Sequence, residues 1–260
     1  MLWAAMRAAA AGLEAQQRSL DVTANNLANL HTTGYKSRRA VLADLRPGPE
    51  VFGADGTPRF ALALSEVGRG AGLAAVLTNA TPGPVQDTGR PLDVAIAGDG
   101  FLTVSLPDGR TAYTRDGALR LDAVGRLVTA SGGVITPQIT VPPATIALQI
   151  ERDGRVLAQL AGGDRQEIGQ LQLARFRNLD GLEHVGNNLL VPTPAAGAPL
   201  SGAPGEAGFG AVLAGHLEGA NVSVADELVR LVQAQRAYSV GTRQLRALDE
   251  MLQDANNLRR

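Results

Sequence analysis

Zinc is the first chemistry that the three histidines of this chain invite, since the metal is held by His and Cys at short, regular spacings. His31, His184 and His216 are far apart, none has another His nearby, and the chain contains no cysteine. Gly68-Arg69-Gly70-Ala71-Gly72 would cradle a phosphate only at the spacing of a dinucleotide fingerprint or a P-loop; it has neither and reads as a bend. Asp108-Gly109, Asp116-Gly117, Asp153-Gly154 and Asp122-Ala123-Val124-Gly125 offer carboxylates suited to calcium, but the Asp-x-Asp-x-Asp-Gly run of a calcium loop is absent and hairpin turns account for the pairs. No Gly-x-Ser-x-Gly elbow presents a serine nucleophile. No catalytic, cofactor or metal site is expected, so the residues that remain must act by contact.

Composition supports this. A chain of 260 residues with 45% hydrophobic content can bury a core. Lys+Arg 24 against Asp+Glu 25 leaves a net charge of -1, which gives no broad field for nucleic acid or an anionic membrane. With 31 glycines, 14 prolines and only 3% aromatics, the sequence expects many turns between small-residue strands. The apolar stretch after Arg7 stops at Glu14, short of a secretory signal, and no segment approaches the ~20 apolar residues of a membrane span. Export without a cleavable signal, and no membrane insertion, is the expectation.

Two elements stand apart from this pattern. Residues 1–30 hold nine alanines and no proline, and Met6, Leu13, Leu20 and Leu27 fall seven apart, with Trp3, Ala10, Gln17 and Ala24 three residues before each. This is the seam of a coiled coil, on a helix about 45 Å long. Near the other end Val224, Leu231, Tyr238, Leu245 and Leu252 repeat the spacing, with Leu228, Ala234 and Leu248 widening the stripe. Ser223, three residues before Asp226, resembles a capping box. Between the helices Pro and Gly recur about every ten residues, as expected of hairpins.

The fold class expected is α+β, mainly β: long N- and C-terminal helices paired as a coiled-coil-like layer, with a central antiparallel β domain. The boundaries read as 1–36 and 221–260 for the helical layer, 37–67 for an extended connector, and 68–220 for the β domain with a Pro/Gly/Ala loop at 192–208. Narrow-seamed helices are marginal alone and need a partner. The simplest partner is the other terminal helix; the pair then either leaves its outer faces to other subunits or is an ordinary hairpin capping a monomeric domain, and pattern alone leaves both open.

Several runs carry a resemblance. Ala24-Asn25-Asn26-Leu27-Ala28-Asn29-Leu30-His31-Thr32-Thr33-Gly34-Tyr35-Lys36 is similar to the N-terminal motif of flagellar rod, hook and hook-associated proteins. Glu218-Gly219-Ala220-Asn221-Val222-Ser223-Val224-Ala225-Asp226-Glu227-Leu228 and Gln233-Ala234-Gln235-Arg236-Ala237-Tyr238 resemble the same family at its C-terminus. Asp93-Val94-Ala95-Ile96, Gly98-Asp99-Gly100-Phe101 and Tyr113-Thr114-Arg115-Asp116-Gly117 look like the β domain of its distal-rod branch. The resemblance implies a β domain of the hook/rod type and a structural subunit of the basal-body rod, crossing the periplasmic and cell-wall space. Such a subunit polymerises helically through its terminal helices, transmits torque and lines an export channel. The implied partners are copies of itself, other rod subunits and hook protein, the surrounding ring or bushing proteins, and the flagellar type III export apparatus.

Residues 45–68 depart from the distal-rod pattern, which keeps a proximal-rod or divergent rod/hook paralogue open. A monomeric β-domain binding module is the alternative from another class. The expected assembly contacts are Met6, Leu13, Leu20 and Leu27 with Leu228, Leu231, Tyr238, Leu245 and Leu252, whose plainer reading is packing within one chain. Asn25, Asn26 and Asn29 are expected to satisfy helix-end carbonyls and Gly34 to redirect the chain at positive φ. Tyr35, Gln235 and Arg236, within the family-like runs, complete the set.

Overall fold

The alanine-rich start and the long C-terminal apolar stripe both form helices, as high helix propensity without interior proline dictates. In the computed structural model, which describes residues 2–45, 70–206 and 208–257, α1 spans Leu2–Ala28 and α2 spans Val224–Asn257. Residues 46–67 of the expected connector, residues 68 and 69 of the glycine run, and the side chain of Trp3 lie outside the described residues. Ser223 caps α2: its Oγ accepts from the Asp226 N–H at 3.4 Å and its carbonyl from the Glu227 N–H at 3.0 Å. Asp226 and Glu227 occupy the first turn, where the helix dipole favours negative charge. Among the described residues no helix is long and apolar enough to cross a membrane.

The fold is α+β and mostly β, with one helix near each end of the chain and a central antiparallel β region. It divides into two units. One holds α1, α2 and two short strands, β1 (Arg38–Asp44) and β2 (Ala71–Thr78), which bond to each other; the other holds residues 29–37 and 78–222. The strand Arg38–Asp44 therefore stands at the start of the expected connector, and residues 29–37 belong with the β unit although the sequence groups most of them with the helices.

In the helical unit α1 and α2 pack together. A methyl group added at Gly241 would lie 2.7 Å from Leu13 Cδ2, so the glycine lets Leu13 seat directly against α2. The covered side of α1 carries Ala15, Thr23 and Asn26, while Met6, Leu13, Leu20 and Leu27 are half-buried and Ala10, Gln17 and Ala24 exposed. Leu13 of the seven-residue series thus meets α2 directly, although the most covered positions of α1 are Ala15, Thr23 and Asn26. Alanine gives the seam little apolar area, and β1 draws in the face that bears Asn26.

In the β unit, among the described residues, the largest sheet runs in the order Leu182–Gly186, Leu189–Pro192, Thr111–Thr114, Phe101–Ser105, Val134–Ile135, Leu127–Val128, Arg120–Leu121. Leu173–Arg175 branches from Phe101–Ser105 and pairs with Leu200–Gly202, a strand within the stretch whose composition reads as a loop. Thr145–Ile150, Arg155–Leu160 and Arg165–Gln170 form a three-stranded antiparallel sheet. Val94–Ala97 pairs with Ala211–Ala214, and Val85–Asp87 with His216–Glu218.

One core gathers Leu102, Val104, Leu119, Leu127, Ile135, Val156 and their neighbours. A second stacks Tyr113 edge-on against Phe176 at 4.7 Å between ring centroids. Three of the expected hairpin turns form: the carboxylates of Asp108 and Asp153 bond the N–H and side chain of Arg110 and Arg155, two residues on, and Asp122 bonds those of Arg126, four residues on. Asp116-Gly117 is not one, since the strands on either side of it do not pair and Asp116 Oδ1 accepts from the Thr33 hydroxyl as well as the Ala118 N–H. Gly117 has its Cα against the Val94 carbonyl, and a Cβ there would lie 1.7 Å from that oxygen. Gly117→Ala is expected to cost about 3 kcal/mol, the upper part of the usual overpacking range, measured by urea unfolding against Gly162→Ala, where the added methyl would have its nearest neighbour at 4.0 Å.

Candidate assembly site

Past Ala28 the chain needs to leave helical geometry, and it does so through local bonds. The Asn29 carbonyl accepts from the Thr32 N–H at 3.0 Å and its Oδ1 from the Thr32 hydroxyl at 3.0 Å. Gly34 follows at φ +67°, with the Arg115 backbone 2.6 Å from where a Cβ would stand. Any side chain here is excluded twice, by conformation and by space. Its N–H donates to the Glu218 carbonyl at 2.7 Å.

Residues 33–37 then run through the β unit as a continuous set of bonds. Thr33 Oγ1 donates to Asp116 Oδ1 at 2.7 Å, and Asn188 Nδ2 donates to the Thr33 carbonyl at 2.8 Å. Tyr35 is buried. The Ser37 N–H donates to Asn221 Oδ1 at 2.6 Å, while Asn221 Nδ2 donates to the carbonyls of Asn79 and Thr81 at 2.8 and 2.9 Å.

At the centre lies an ionic cluster. Lys36 Nζ meets Glu218 Oε1 at 2.5 Å and also donates to the Thr81 carbonyl at 2.8 Å. Arg115 Nη1 reaches Glu218 Oε2 at 3.1 Å, and all three residues are at most 5% exposed. Two cations share one carboxylate, so the surplus charge needs other acceptors. Arg115 finds them in the carbonyl of Gly98 at 2.7 Å, that of Ile96 at 3.4 Å, and the face of Phe101, 5.4 Å from the guanidinium carbon. The Gly83 N–H gives the Glu218 carboxylate a third donor, to Oε1 at 2.9 Å.

Burial alone would push the Glu218 carboxyl up; the Arg115 charge, the Lys36 bond and the Gly83 N–H together outweigh it and hold the group below its ordinary value. Burial pulls Lys36 down from the usual lysine range, against the attraction of Glu218.

Asn26 acts within the helical unit. Its Nδ2 donates to the Arg38 carbonyl at 2.8 Å and its Oδ1 accepts from the Arg38 N–H at 2.9 Å, so one amide satisfies both backbone groups of a strand residue. This differs from the expected bond to helix-end carbonyls: the chain returns to α1 at Arg38, and the amide meets it there. Asn25 is exposed and Asn29 half-buried.

The expected apolar contacts fall into two groups. Met6, Leu13, Leu20, Leu27, Leu231, Leu245 and Leu252 are half-buried, whereas Leu228 and Tyr238 are 45% and 38% exposed, with Gln235 and Arg236 exposed beside them. Val229, Val232, Val240 and Met251 add to the uncovered side of α2. Lys36, Arg115, Glu218 and Asn221 were not singled out by sequence reasoning. One signal was available: each of three family-like runs carries one of the three charges. His184 Nε2 lies 3.0 Å from the Thr78 hydroxyl and His216 Nδ1 2.8 Å from the Ala214 carbonyl. No cluster of three or more metal-ligating side chains occurs among the described residues.

Comparison with known proteins matches residues 6–36 to the family described as flagella basal body rod protein. It matches residues 95–158 to the flagellar hook protein FlgE/F/G D1 domain, and residues 213–258 to the flagellar basal body rod FlgEFG protein C-terminal family. The flagellar basal-body rod protein FlgG of Buchnera aphidicola subsp. Schizaphis graminum is 42% identical over 255 residues, 95% of this chain and 96% of that one. FlgG of Borreliella burgdorferi is 39% identical over 263 residues, 98% of each chain. The flagellar hook protein FlgE of Salmonella typhimurium is 33% identical over 159 residues, 61% of this chain and 39% of its own.

The cluster has a pH signature. Glu218 is lowered in the folded state, so its contribution is complete above the ordinary glutamate value near 4.5 and is lost as pH falls from there through the folded value. Glu218→Gln is expected to lose about 3–5 kcal/mol at pH 7, because both cations stay buried without their counter-ion. Its urea midpoint should then fall less than that of the parent between pH 5 and 3.

Proposed function

Because the chain belongs to the flagellar basal-body rod protein family, we propose that it is a structural subunit of the rod, in its distal segment. It polymerises helically through α1 and α2, transmits torque and encloses an export channel. The observation that carries this reading is the uncovered side of α2. Val224, Leu228, Val229, Val232, Tyr238, Val240 and Met251 are all at least 38% exposed on one helix. A monomer rarely leaves that much apolar surface in water, whereas a filament subunit covers it with the next copy through a heterologous contact that does not close.

Coiled-coil-like packing belongs to this assembly more naturally than to the single chain. Leu228 and Tyr238 meet no cover at home, and the half-buried Met6, Leu13, Leu20 and Leu27 have a flank to offer a neighbour. In the β unit Leu121, Val124 and Ile146 are 42%, 70% and 71% exposed, an apolar outer surface for ring or bushing proteins. Other rod subunits and hook protein adjoin at the segment's ends. The part is structural and not catalytic, it works in the basal body, and delivery is by the flagellar type III apparatus.

Light scattering and circular dichroism of the full-length chain over a wide concentration range test the reading. Long particles are expected to appear as concentration rises. Leu228→Asp with Val229→Asp should raise the onset at least about tenfold, while changing folded stability by no more than about 0.5 kcal/mol each, as exposed positions do. Parent protein that stays monomeric throughout would favour a β-domain binding module.

A further inference from the structure

A groove in the helical unit collects positive charge and carries no acid of its own. It has a volume of about 390 Å³ and is lined by Gln16 and Thr23 of α1, Arg38 and Arg39 of β1, and Arg230 and Gln233 of α2, among others. Arg230 is paired with Glu227 at 2.7 Å. Arg38 and Arg39 have no ion pair among the described residues, and Arg38 Nε is shut off from solvent without a hydrogen-bond partner. Arg39 is exposed, and a carboxylate entering the groove would gain a charge-assisted hydrogen bond from its guanidinium.

A matching acid lies on the same helix. Asp249, Glu250 and Asp254 are exposed near the end of α2, with no ion pair among the described residues and no cation between positions 247 and 257. Position 251 is about 25 Å along the helix from position 234 at 1.5 Å per residue, and a straight helix cannot fold back to bring its own end to its own groove. These acids can reach such a groove only from another molecule.

We infer that the Arg38–Arg39–Arg230 groove receives the Asp249–Asp254 stretch of α2 from a second copy of this chain. The contact is head-to-tail, sets the axial stagger between copies and leaves each bound subunit with a free groove at one end and free acids at the other. The inference rests on the assembly reading above but names a different surface from the apolar side of α2.

Charge reversal tests it in full-length protein. Arg39→Glu alone, and Asp249→Arg with Glu250→Arg alone, should each raise the onset concentration at least about tenfold. Mixed together they should assemble again as alternating copies, since each reversed groove then meets a reversed tail. Because the chain lacks cysteine, Gln233→Cys and Gln253→Cys variants add a readout independent of growth. Under mild oxidation the mixture should give a heterodimer and neither variant alone a homodimer. Normal growth of both reversed variants, with no heterodimer, would overturn the groove contact and leave the assembly reading intact. No growth of the parent but a specific heterodimer would sink the assembly reading and keep the contact. Loss of both would remove both.

Discussion

The carboxylate of Glu218 is the point on which the β unit depends. It accepts from a lysine near the start of the chain, from an arginine just past a strand of the largest sheet and from the backbone of residue 83. A buried ion pair is seldom a large net source of stability, because desolvation offsets the attraction. What this one supplies is uniqueness: among the described residues Glu218 is the carboxylate that pairs with both buried cations, so the segments bearing Lys36, Arg115 and Glu218 have one mutual arrangement. Gly34 reinforces it sterically, since only a bare Cα fits against the Arg115 backbone.

The helical unit is built on the opposite plan. It buries few large side chains, its covered positions on α1 are alanine, threonine and asparagine, and its longest helix leaves aliphatic residues in water. Helices packed this thinly draw modest stability from their own chain. A design with a specific β unit and an under-covered helical unit suits a component completed by its neighbours.

Much of this was legible in the sequence. Both helices announced themselves by composition and by a spacing of seven, the Ser223 cap by its acid three residues on, and three hairpins by Asp108, Asp122 and Asp153, whose carboxylates serve their own turns, whereas Asp116-Gly117 makes no hairpin. The family was legible from motifs at both ends and the middle. Three things were not. Periodicity reports which residues are apolar but not which side a partner takes, so Ala15, Thr23 and Asn26 are more covered than the leucines of the series. Local patterns carry no information on pairings across more than a hundred residues, which hid Lys36 with Glu218 and Ser37 with Asn221. Composition also misread residues 200–202, because strand pairing with Leu173–Arg175 overrides a Pro/Ala/Gly background.

The Lys36–Glu218 bond spans 182 residues, and that number governs the order in which the molecule can be made. A chain emerging from its N-terminus has the segment 33–37 ready early, yet Glu218 and Asn221, which it also needs, arrive with the last sixth of the sequence. Until then the early segment is only partly seated, and completing it closes a loop whose entropy cost, on the order of 4–5 kcal/mol plus a constant, falls on a single event. Pairings so remote in sequence fold slowly. The β unit is in this sense a lock whose bolt is delivered first and whose keeper is delivered last.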